Sequence, residues 1–411
     1  MANKVVVIGG GPAGLMAAGF AAANGAQVLL LEKNSMVGKK LRISGKGRCN
    51  ITNAVDVADF IAHYPGNGKF LYSALHQFSN KDLLALLGQY GLTTKVERGQ
   101  RVFPVSDDAH QVANTLWQFT HDHGVRFRFN TQATRICVED GHVTGVESTT
   151  GFYPADCVIL ATGGASYPQT GSNGDGYRLA SEVGHTIVEP FPALVALRTR
   201  ETWVQELSGL SLRNVRATVV SEGERQSEFG EMQFAHFGVT GPIILTLSRQ
   251  VALWLRAGRQ VQLFIDLKPA LSVDELDQRV QRDFQKYQRK QLKNALDDLL
   301  PKNLIPIVIS FSGIAPEKAV HQITRAERQQ LVAVLKQLPL IITSTLPLST
   351  AIVTAGGVAV TEIDPRTMAS KIVSGLYFAG EVIDVDGVTG GFNLQAAFST
   401  GAVAGIHASR S

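Results

Sequence analysis

The chain opens with two short runs of consecutive apolar residues that flank an alanine-rich segment. The runs are Val5–Ile8 and Val28–Leu31, and each is typical of a strand buried on both faces of a parallel sheet. The segment between them has the length and composition of a helix. The order strand, helix, strand predicts a parallel βαβ unit at the start of an α/β fold.

Residues 9–14, with the sequence GGGPAG, connect the first strand to the helix and fit the pattern G-x-G-x-x-G. In this pattern Gly9 permits the tight turn, Gly11 lets the backbone approach a pyrophosphate, and Gly14 lets the helix pack closely on the sheet. The N–H groups at the helix start favour negative charge. Glu32 ends the second strand, where its carboxylate can accept from both ribose hydroxyls and would repel a 2′-phosphate. These features predict a site for FAD or NAD, and a glycine-rich turn in an ordinary α/β sheet is the alternative.

A second glycine-rich segment lies near the end of the chain. Residues 378–381 (FAGE) predict a strand that runs into a turn with an acid, and Phe392 opens an alanine-rich helix that continues through Gly405. The N-terminus of this helix would stabilise the negative charge that reduced flavin carries around N1 and its C2 carbonyl. Glu381 would accept from a ribityl hydroxyl. Paired with the first motif, this segment predicts FAD, although alone it also fits a C-terminal helix packed on the sheet.

The loop of residues 38–53, GKKLRISGKGRCNITN, is rich in basic residues and begins six residues after Glu32. We expect it to lie across the pyrophosphate and near the flavin ring, where basic side chains offset negative charge. A solvated basic loop is the alternative. Cys49 has no second cysteine nearby, which disfavours a redox disulfide and favours a small packing residue. The cysteines at 49, 137 and 157 form no disulfide framework and predict a cytoplasmic protein.

Three further features have two interpretations each. The turn at 161–164 (ATGG) follows an apolar strand and would pass the adenosine side of FAD, but such turns are common. His236 precedes a Gly-Pro turn and is either a proton-transfer group over the flavin or a structural residue. Residues 279–293 carry six cations and Tyr287, and they either bind an RNA phosphate backbone or form a solvated helix face.

The bulk composition is that of a well-buried globular protein of 411 residues, with 45% apolar residues and a net charge of +4. The charge is too weak to predict nucleic-acid binding by itself. Residues 338–360 lack charge, but Pro and Gly interrupt them, so we expect buried strands and no membrane span. Residues 1–23 resemble a signal peptide, yet they carry the glycine motif, so we expect no cleavage. No metal-ligand cluster is predicted.

Composition along the chain predicts a discontinuous FAD-binding domain with insertions. The predicted FAD domain comprises residues 1–190 and 350–411, and a β-rich insertion comprises 191–271 and 338–349. Residues 272–337 predict a helical subdomain. There we expect one helix over 272–300, opened by an S-x-x-E capping box, and another over 325–337.

Several of these stretches together resemble a known family, the bacterial aminoacetone oxidase-like FAD-dependent oxidoreductases. The similarity covers essentially the whole chain, and its most specific parts are the loop of residues 38–53 and the segment GLYFAGEVIDVDGVTGGFN. The resemblance implies a glutathione-reductase-type Rossmann FAD domain interrupted by a β-barrel-like domain and a small helical domain. The cofactor-binding residues expected from the motifs and the resemblance are Gly9, Gly11, Pro12, Ala13, Gly14, Glu32, Lys33, Lys40, Leu41, Ser44, Gly45, Arg48, Cys49, Asn50, Ala161, Thr162, Gly163, Gly380, Glu381, Gly391, Phe392 and Asn393.

Position and chemistry nominate Lys40, Arg48 and His236 as catalytic residues. No second G-x-G-x-x-G follows a strand, so either the substrate reduces the flavin or NAD(P)H binds transiently without a domain of its own. The resemblance implies first the oxidation of a small amine such as aminoacetone with oxygen as re-oxidant. The alternatives are reduction of a C=C bond such as that of uridine in ribosomal RNA, which the resemblance also implies, and non-catalytic FAD binding. The predicted partners are a small-molecule substrate first and RNA, through residues 279–293, second.

Overall fold

In a computed structural model that describes residues 2–410, the chain forms two units. The first unit comprises the chain up to Pro192 and from Leu348 onward, and the second runs from Ala193 to Pro347. The strands, in chain order, are β1 (Lys4–Ile8), β2 (Gln27–Leu31), β3 (Thr52–Asn53), β4 (Thr94–Glu97), β5 (Arg101–Pro104), β6 (Arg126–Arg128), β7 (Ala133–Glu139), β8 (His142–Ser148), β9 (Gly151–Pro154), β10 (Cys157–Leu160), β11 (Ile187–Ala193), β12 (Leu197–Thr199), β13 (Ser211–Ser221), β14 (Glu224–Ala235), β15 (Gly238–Thr240), β16 (Val261–Asp266), β17 (Leu338–Thr345), β18 (Val353–Val358) and β19 (Leu376–Phe378). The α-helices are α1 (Pro12–Ala23), α2 (Lys39–Ile43), α3 (Val57–Phe60), α4 (Tyr72–Gln77), α5 (Asn80–Gln89), α6 (Ala109–Asp122), α7 (Asp175–Glu182), α8 (Pro242–Arg256), α9 (Val273–Lys286), α10 (Ile305–Ser312), α11 (Arg325–Lys336) and α12 (Phe392–Ala408).

The apolar runs of the first unit form a parallel sheet in the order β19-β10-β1-β2-β6. Val6 of the central strand pairs with Val158 on one side and with Leu29 on the other. Helices α1 and α12 pack against each other so closely that a Cβ on Gly401 would lie 2.3 Å from the carbonyl oxygen of Ala13. The start of α1 therefore lies against the second half of α12.

Three smaller sheets complete the first unit. Strand β3, which ends the basic loop, forms an antiparallel sheet with β5 and β4. Strands β7, β8 and β9 form the meander expected before β10. Strands β11 and β18 pair where the chain leaves and re-enters this unit. The α/β class predicted from the apolar runs is thereby confirmed.

The second unit is built on a closed barrel in the order β12-β15-β14-β13-β16-β17. Alternate residues of its strands, such as Val219 and Leu263, are buried, as the period of two requires. Residues of the helices, including Leu276 and Leu335, belong to the same apolar core as the barrel strands. The predicted β-barrel-like insertion is present, and its helices share its core.

The second unit differs from the prediction at two helices. The β-rich stretch 191–271 also contains the unpredicted 15-residue helix α8, which Pro242 opens and which buries Ile244, Leu247 and Val251. The predicted helix over 272–300 ends at Lys286. Beyond that point the backbone N–H of Leu292 donates to the carbonyl of Lys318, so a distant segment replaces the next helical turn.

Other local predictions hold. The capping box of Ser272 and Glu275 is formed at the start of α9, and α11 occupies the second predicted helix. The uncharged stretch 338–360 forms the strands β17 and β18. Among residues 2–410, no helix has the length and apolar character needed to cross a membrane.

Candidate functional site

The turn between β1 and α1 has the geometry of a phosphate cradle. Gly9 adopts a φ of +105°, and a Cβ there would lie 2.6 Å from the carbonyl oxygen of Ala161. A Cβ on Gly14 would lie 1.8 Å from the carbonyl oxygen of Gly9, so this position also requires glycine. A Cβ on Gly11, by contrast, would meet no atom within 4 Å, and no side chain caps the helix. The start of α1 therefore presents open backbone, which suits a pyrophosphate, with Pro12 and Ala13 in the first turn.

Glu32 is buried beside this turn. One of its carboxylate oxygens accepts from the backbone N–H of Gly10 at 2.7 Å, and the other accepts from the backbone and side-chain amides of Asn34 at 2.8 and 2.7 Å. These bonds fix the carboxylate at the carboxyl end of β2. A polar cavity of about 390 Å³ begins at the next two residues, a volume in the range of small-molecule sites. Its lining residues are Lys33, Asn34, Asn130, Gln132, Thr149, Pro168, Gln169, Gly171 and Asn173.

In this region Lys33 forms an ion pair, whereas the buried Thr162 hydroxyl packs against protein without a hydrogen-bond partner. The Lys33 ammonium lies 2.8 Å from the Asp175 carboxylate, which anchors α7 beside the cavity. The Thr162 side chain packs against Gly176, where a Cβ would lie 1.9 Å from its hydroxyl oxygen. The backbone of residues 161–163, rather than the threonine side chain, therefore runs beside the Gly9 turn.

Lys40 and Glu381, separated by 341 positions, meet in one hydrogen-bonded cluster. The Lys40 ammonium donates to the Glu381 carboxylate at 2.9 Å and to the Ser166 hydroxyl at 2.7 Å. The second oxygen of Glu381 accepts from the backbone N–H of Thr354 at 2.7 Å. The charge of Lys40 is thus balanced by Glu381. Sequence reasoning missed Ser166 and Thr354, although each lies in or beside a glycine-rich turn, ATGGASYP and TAGG.

Arg48 is paired with two carboxylates near the small sheet. Its guanidinium donates to Glu97 and, at 2.6 Å, to Asp107, and it lies 4.3 Å from the centre of the Phe103 ring. The hydrogen bonds to Glu97 and Asp107 raise the pKa of Arg48. The guanidinium therefore makes protein contacts on more than one side, and a catalytic role for it stays a prediction.

The rest of the basic loop is held by burial and by hydrogen bonds between its own residues. Leu41 is buried, and the Ser44 hydroxyl donates to its carbonyl oxygen at 2.7 Å. Gly45 and Cys49 both have a φ of +58°. Burial raises the pKa of the Cys49 thiol to about 12. This thiol is therefore protonated at neutral pH, which supports a packing role rather than a redox role.

The loop joins the N-terminus of α12 through Asn50. With its amide oxygen toward α12, Asn50 accepts from the backbone N–H of Gly391 at 2.9 Å and donates to the Thr52 carbonyl at 3.0 Å. Asn393 exchanges two 2.8 Å hydrogen bonds with the backbone of Gly387, which closes the preceding loop. No side chain caps this 17-residue helix. Its first turn thus combines a positive dipole end with a rigid approach, as the predicted flavin site requires.

His236 is exposed and lies in the second unit, on the two-residue turn between β14 and β15. Its ring packs edge-on against Phe237, with the ring centroids 5.0 Å apart. The residues of the predicted FAD cradle all belong to the first unit. A catalytic role for His236 stays a prediction.

The basic segment 279–293 is a helix end followed by turns, and half of its cations are paired. Arg279 contacts Asp283 at 3.0 Å, Lys286 contacts Asp298 at 2.7 Å, and Lys293 contacts Glu317 at 3.5 Å. Within residues 2–410, the cations of this segment without an ion-pair partner are Arg282, Arg289 and Lys290. The Lys290 ammonium lies 4.1 Å from the centre of the Tyr287 ring.

The residues present fit FAD. The uncapped start of α1, the buried acid at the end of β2, the adjacent polar cavity and the uncapped start of α12 all belong to one unit. These features suit, in turn, the pyrophosphate, the ribose, the adenosine end and the flavin. Together with the parallel sheet and the barrel, they define a flavin-dependent oxidoreductase of the Rossmann fold.

The chain belongs to the HI0933-like family, since it matches the HI0933-like protein Rossmann domain over residues 3–407. It is 32% identical over 406 residues to a 3-dehydro-bile acid delta(4,6)-reductase of Clostridium scindens, a match that covers 98% of each chain. It is 31% identical over 416 residues to a ribosomal RNA dihydrouridine synthase of Haemophilus influenzae, a match that covers 99% of each chain. The predicted membership of a family of FAD-dependent oxidoreductases is confirmed, and the aminoacetone oxidase-like subfamily stays a prediction.

Solved structures show the same fold. A flavocytochrome c3 fumarate reductase matches 99% of this chain and 78% of its own, with a TM-score of 0.54 and 18% identity. A 3-ketosteroid-delta4-(5alpha)-dehydrogenase from Rhodococcus jostii RHA1 matches 100% of this chain and 97% of its own, with a TM-score of 0.54 and 15% identity. At these identities the likeness concerns the fold alone.

Proposed function

We propose that this protein is an FAD-dependent reductase that saturates a carbon–carbon double bond, and that its substrate is a uracil base of ribosomal RNA. The observation that carries the reductase class is the similarity along the full chain to a delta(4,6)-reductase and to dihydrouridine synthases. The names of both relatives describe products with fewer double bonds than their substrates. A reductase therefore takes precedence over an amine oxidase as the proposal.

Within the first unit, the described residues would hold FAD along its length. The backbone at Gly11 and the start of α1 would bind the pyrophosphate, and Glu32 would bind the ribose. Glu381, held by Lys40, would face the ribityl chain, and the start of α12 would favour negative charge at the pyrimidine end. FAD, when bound and reduced, supplies the hydride. The residues of the chain bind and orient it.

The charge distribution supports RNA over a small amine. Residues 193–347 carry 20 Lys and Arg and 15 Asp and Glu, a net charge of +5, whereas the remainder of the chain is net −1. The unpaired cations Arg282, Arg289 and Lys290 lie in this positive unit. Positive charge concentrated on one unit favours binding to a phosphate backbone.

Two other substrates stay candidates for specific reasons. The 32% identity to a bile acid reductase favours a steroid-like enone. The resemblance to aminoacetone oxidase-like proteins favours oxidation of a small amine with oxygen as re-oxidant, and NAD(P)H as a transient reductant also stays a prediction. Each of these candidates has a distinct readout.

The test uses purified holoprotein and ribosomal RNA from a strain that lacks the corresponding gene. We expect dithionite-reduced protein to convert uridine to dihydrouridine in that RNA, detected by mass spectrometry of the nucleosides. Heat-denatured protein with the same dithionite is the control. Conversion of a 3-oxo-Δ4 steroid with unchanged RNA would overturn the proposed RNA substrate but support the proposed class, a reductase of C=C bonds. Bleaching of the flavin by aminoacetone under argon, with both other reactions absent, would overturn the proposal.

A further inference from the structure

The imidazole of His63 lies flat on the ring of Phe392, which is the first residue of α12. The two ring centroids are 4.1 Å apart, and the ring planes are 16° from parallel. The backbone of His63 is held by the same segment, since the N–H of Val388 donates to its carbonyl oxygen at 2.9 Å. Two independent contacts therefore fix this imidazole at the N-terminus of α12.

The polar atoms of this ring are left for solvent or a ligand. The His63 side chain is half-buried and makes no hydrogen bond within the described part of the chain. The neighbouring Tyr64 differs, because it is buried and its hydroxyl donates to the Phe392 carbonyl at 2.8 Å. Burial lowers the pKa of His63, and the nearby charge of Asp59 opposes that effect. The imidazole is therefore mostly neutral at neutral pH.

Asp59 is the charged group whose effect on His63 opposes that of burial. Asp59 lies in the helical turn just before it, and Asp384 and Asp386 lie in the loop that leads to α12. The Asp384 carboxylate accepts from the Asn67 side chain at 2.9 Å, and Asp386 is buried. A further negative charge close to the imidazole would act in the same direction as Asp59 and raise the pKa of His63.

We propose that His63 is a redox-linked proton site, which is neutral beside oxidised FAD and takes up one proton from solvent when the flavin is reduced. The start of α12 is where the negative charge of reduced flavin is predicted to lie, and a negative charge within a few ångströms stabilises an imidazolium. Reduction then delivers two electrons and one proton to the flavin, and a second proton goes to His63. The inference rests on the FAD site and is independent of the substrate.

The test is the midpoint potential of the bound flavin as a function of pH, titrated with dithionite under argon. For a two-electron couple each proton taken up contributes about 30 mV per pH unit. His63 has one pKa beside oxidised flavin and a higher pKa beside reduced flavin. Between these two values we expect a slope of about −59 mV per pH unit for the wild type, and about −30 mV per pH unit for His63→Gln. The matched control is His76→Gln, because the His76 ring also lies 4.1 Å from an aromatic ring, that of Tyr72. This control should keep the wild-type slope.

Two results would overturn the inference: a wild-type slope near −30 mV at every pH from 5.5 to 8.5, or a His63→Gln holoprotein with the wild-type slope. If the variant does not retain FAD, proton uptake by the wild type decides. With the flavin reduced at an electrode, so that no chemical reductant releases protons, a pH indicator in weak buffer should then record two protons taken up per flavin at pH 7, and one proton would overturn the inference. Failure to reduce RNA would leave these outcomes unchanged.

Discussion

At the scale of single residues, the structure changes the meaning of the predicted cations. The position of Lys40 and Arg48 in a basic loop nominates both for catalysis, yet both are bound to carboxylates, Lys40 to Glu381 and Arg48 to Asp107. A lysine balanced in this way positions Glu381, the acid predicted to accept from a ribityl hydroxyl. The glycines of the β1–α1 turn allow a more specific prediction. A methyl group at Gly11 would disturb only the predicted cofactor site, whereas one at Gly14 would disturb the fold.

We expect Gly11→Ala to fold normally and to lose FAD affinity by at least tenfold, about 1.4 kcal/mol. The reason is that a methyl at Gly11 meets no atom of the protein but occupies the space predicted for the pyrophosphate. Isothermal titration of the apoprotein with FAD measures the loss, and urea unfolding checks the fold. Gly14→Ala is the contrasting variant and should lower stability, because its methyl would collide with the Gly9 carbonyl oxygen. Wild-type FAD affinity in Gly11→Ala would contradict the assignment.

At the scale of secondary-structure elements, His185 links the end of α7 to the segment before β19. Its side chain is fully buried, with Nδ1 3.2 Å from the Glu362 carboxylate and Nε2 2.9 Å from the Ser370 hydroxyl. Ser370 already accepts from the backbone N–H groups of Ile372 and Val373. Its own proton therefore points to Nε2, and the neutral ring carries its proton on Nδ1, on the side of the Glu362 carboxylate.

Burial lowers the pKa of His185, against the opposing effect of Glu362. Because folding favours the neutral ring, its contribution to stability is complete above the unfolded pKa of about 6.5 and is lost as the pH falls below it. We expect the free energy of unfolding to decrease between pH 7.5 and pH 5.5 in the wild type and to decrease less in His185→Gln. Urea unfolding followed by circular dichroism at the two pH values measures both. Equal decreases in the two proteins would refute the linkage.

At the scale of the whole molecule, the positive charge is concentrated in the barrel-containing unit. If this unit binds the RNA backbone through its unpaired cations, each lost phosphate contact should reduce the dependence of log K on log salt by about 1. We expect Arg282→Gln with Arg289→Gln to weaken RNA binding and to lower this slope by about 2. The matched control is Arg126→Gln with Arg128→Gln, which removes the same charge from exposed positions of β6 in the first unit. Equal slopes for the two double variants would exclude residues 282–289 as the RNA contact.

The sequence predicts well where a pattern is enforced by its immediate neighbours. The glycine turn, its flanking strands, Glu32 and the Phe392 helix all lie where the pattern places them. Helix α8 escapes prediction because Val-, Ile- and Leu-rich residues serve a buried helix as well as a strand. The helix after Ser272 is shorter than its pattern predicts because its end depends on the segment near Lys318, which the local pattern does not contain.

By itself, then, the sequence determined the βαβ unit, the two glycine-rich helix starts and the class of cofactor, because each depends on backbone sterics and on apolar periods of a few residues. Only the tertiary structure decided which charged side chains form ion pairs and which polar groups have no hydrogen-bond partner in the described part of the chain. Lys40 meets Glu381 across 341 positions, and His63 meets Phe392 across 329. The physical reason is that ion pairing, burial and ring stacking depend on distances in space. Those distances are set by the packing of whole elements rather than by neighbouring residues.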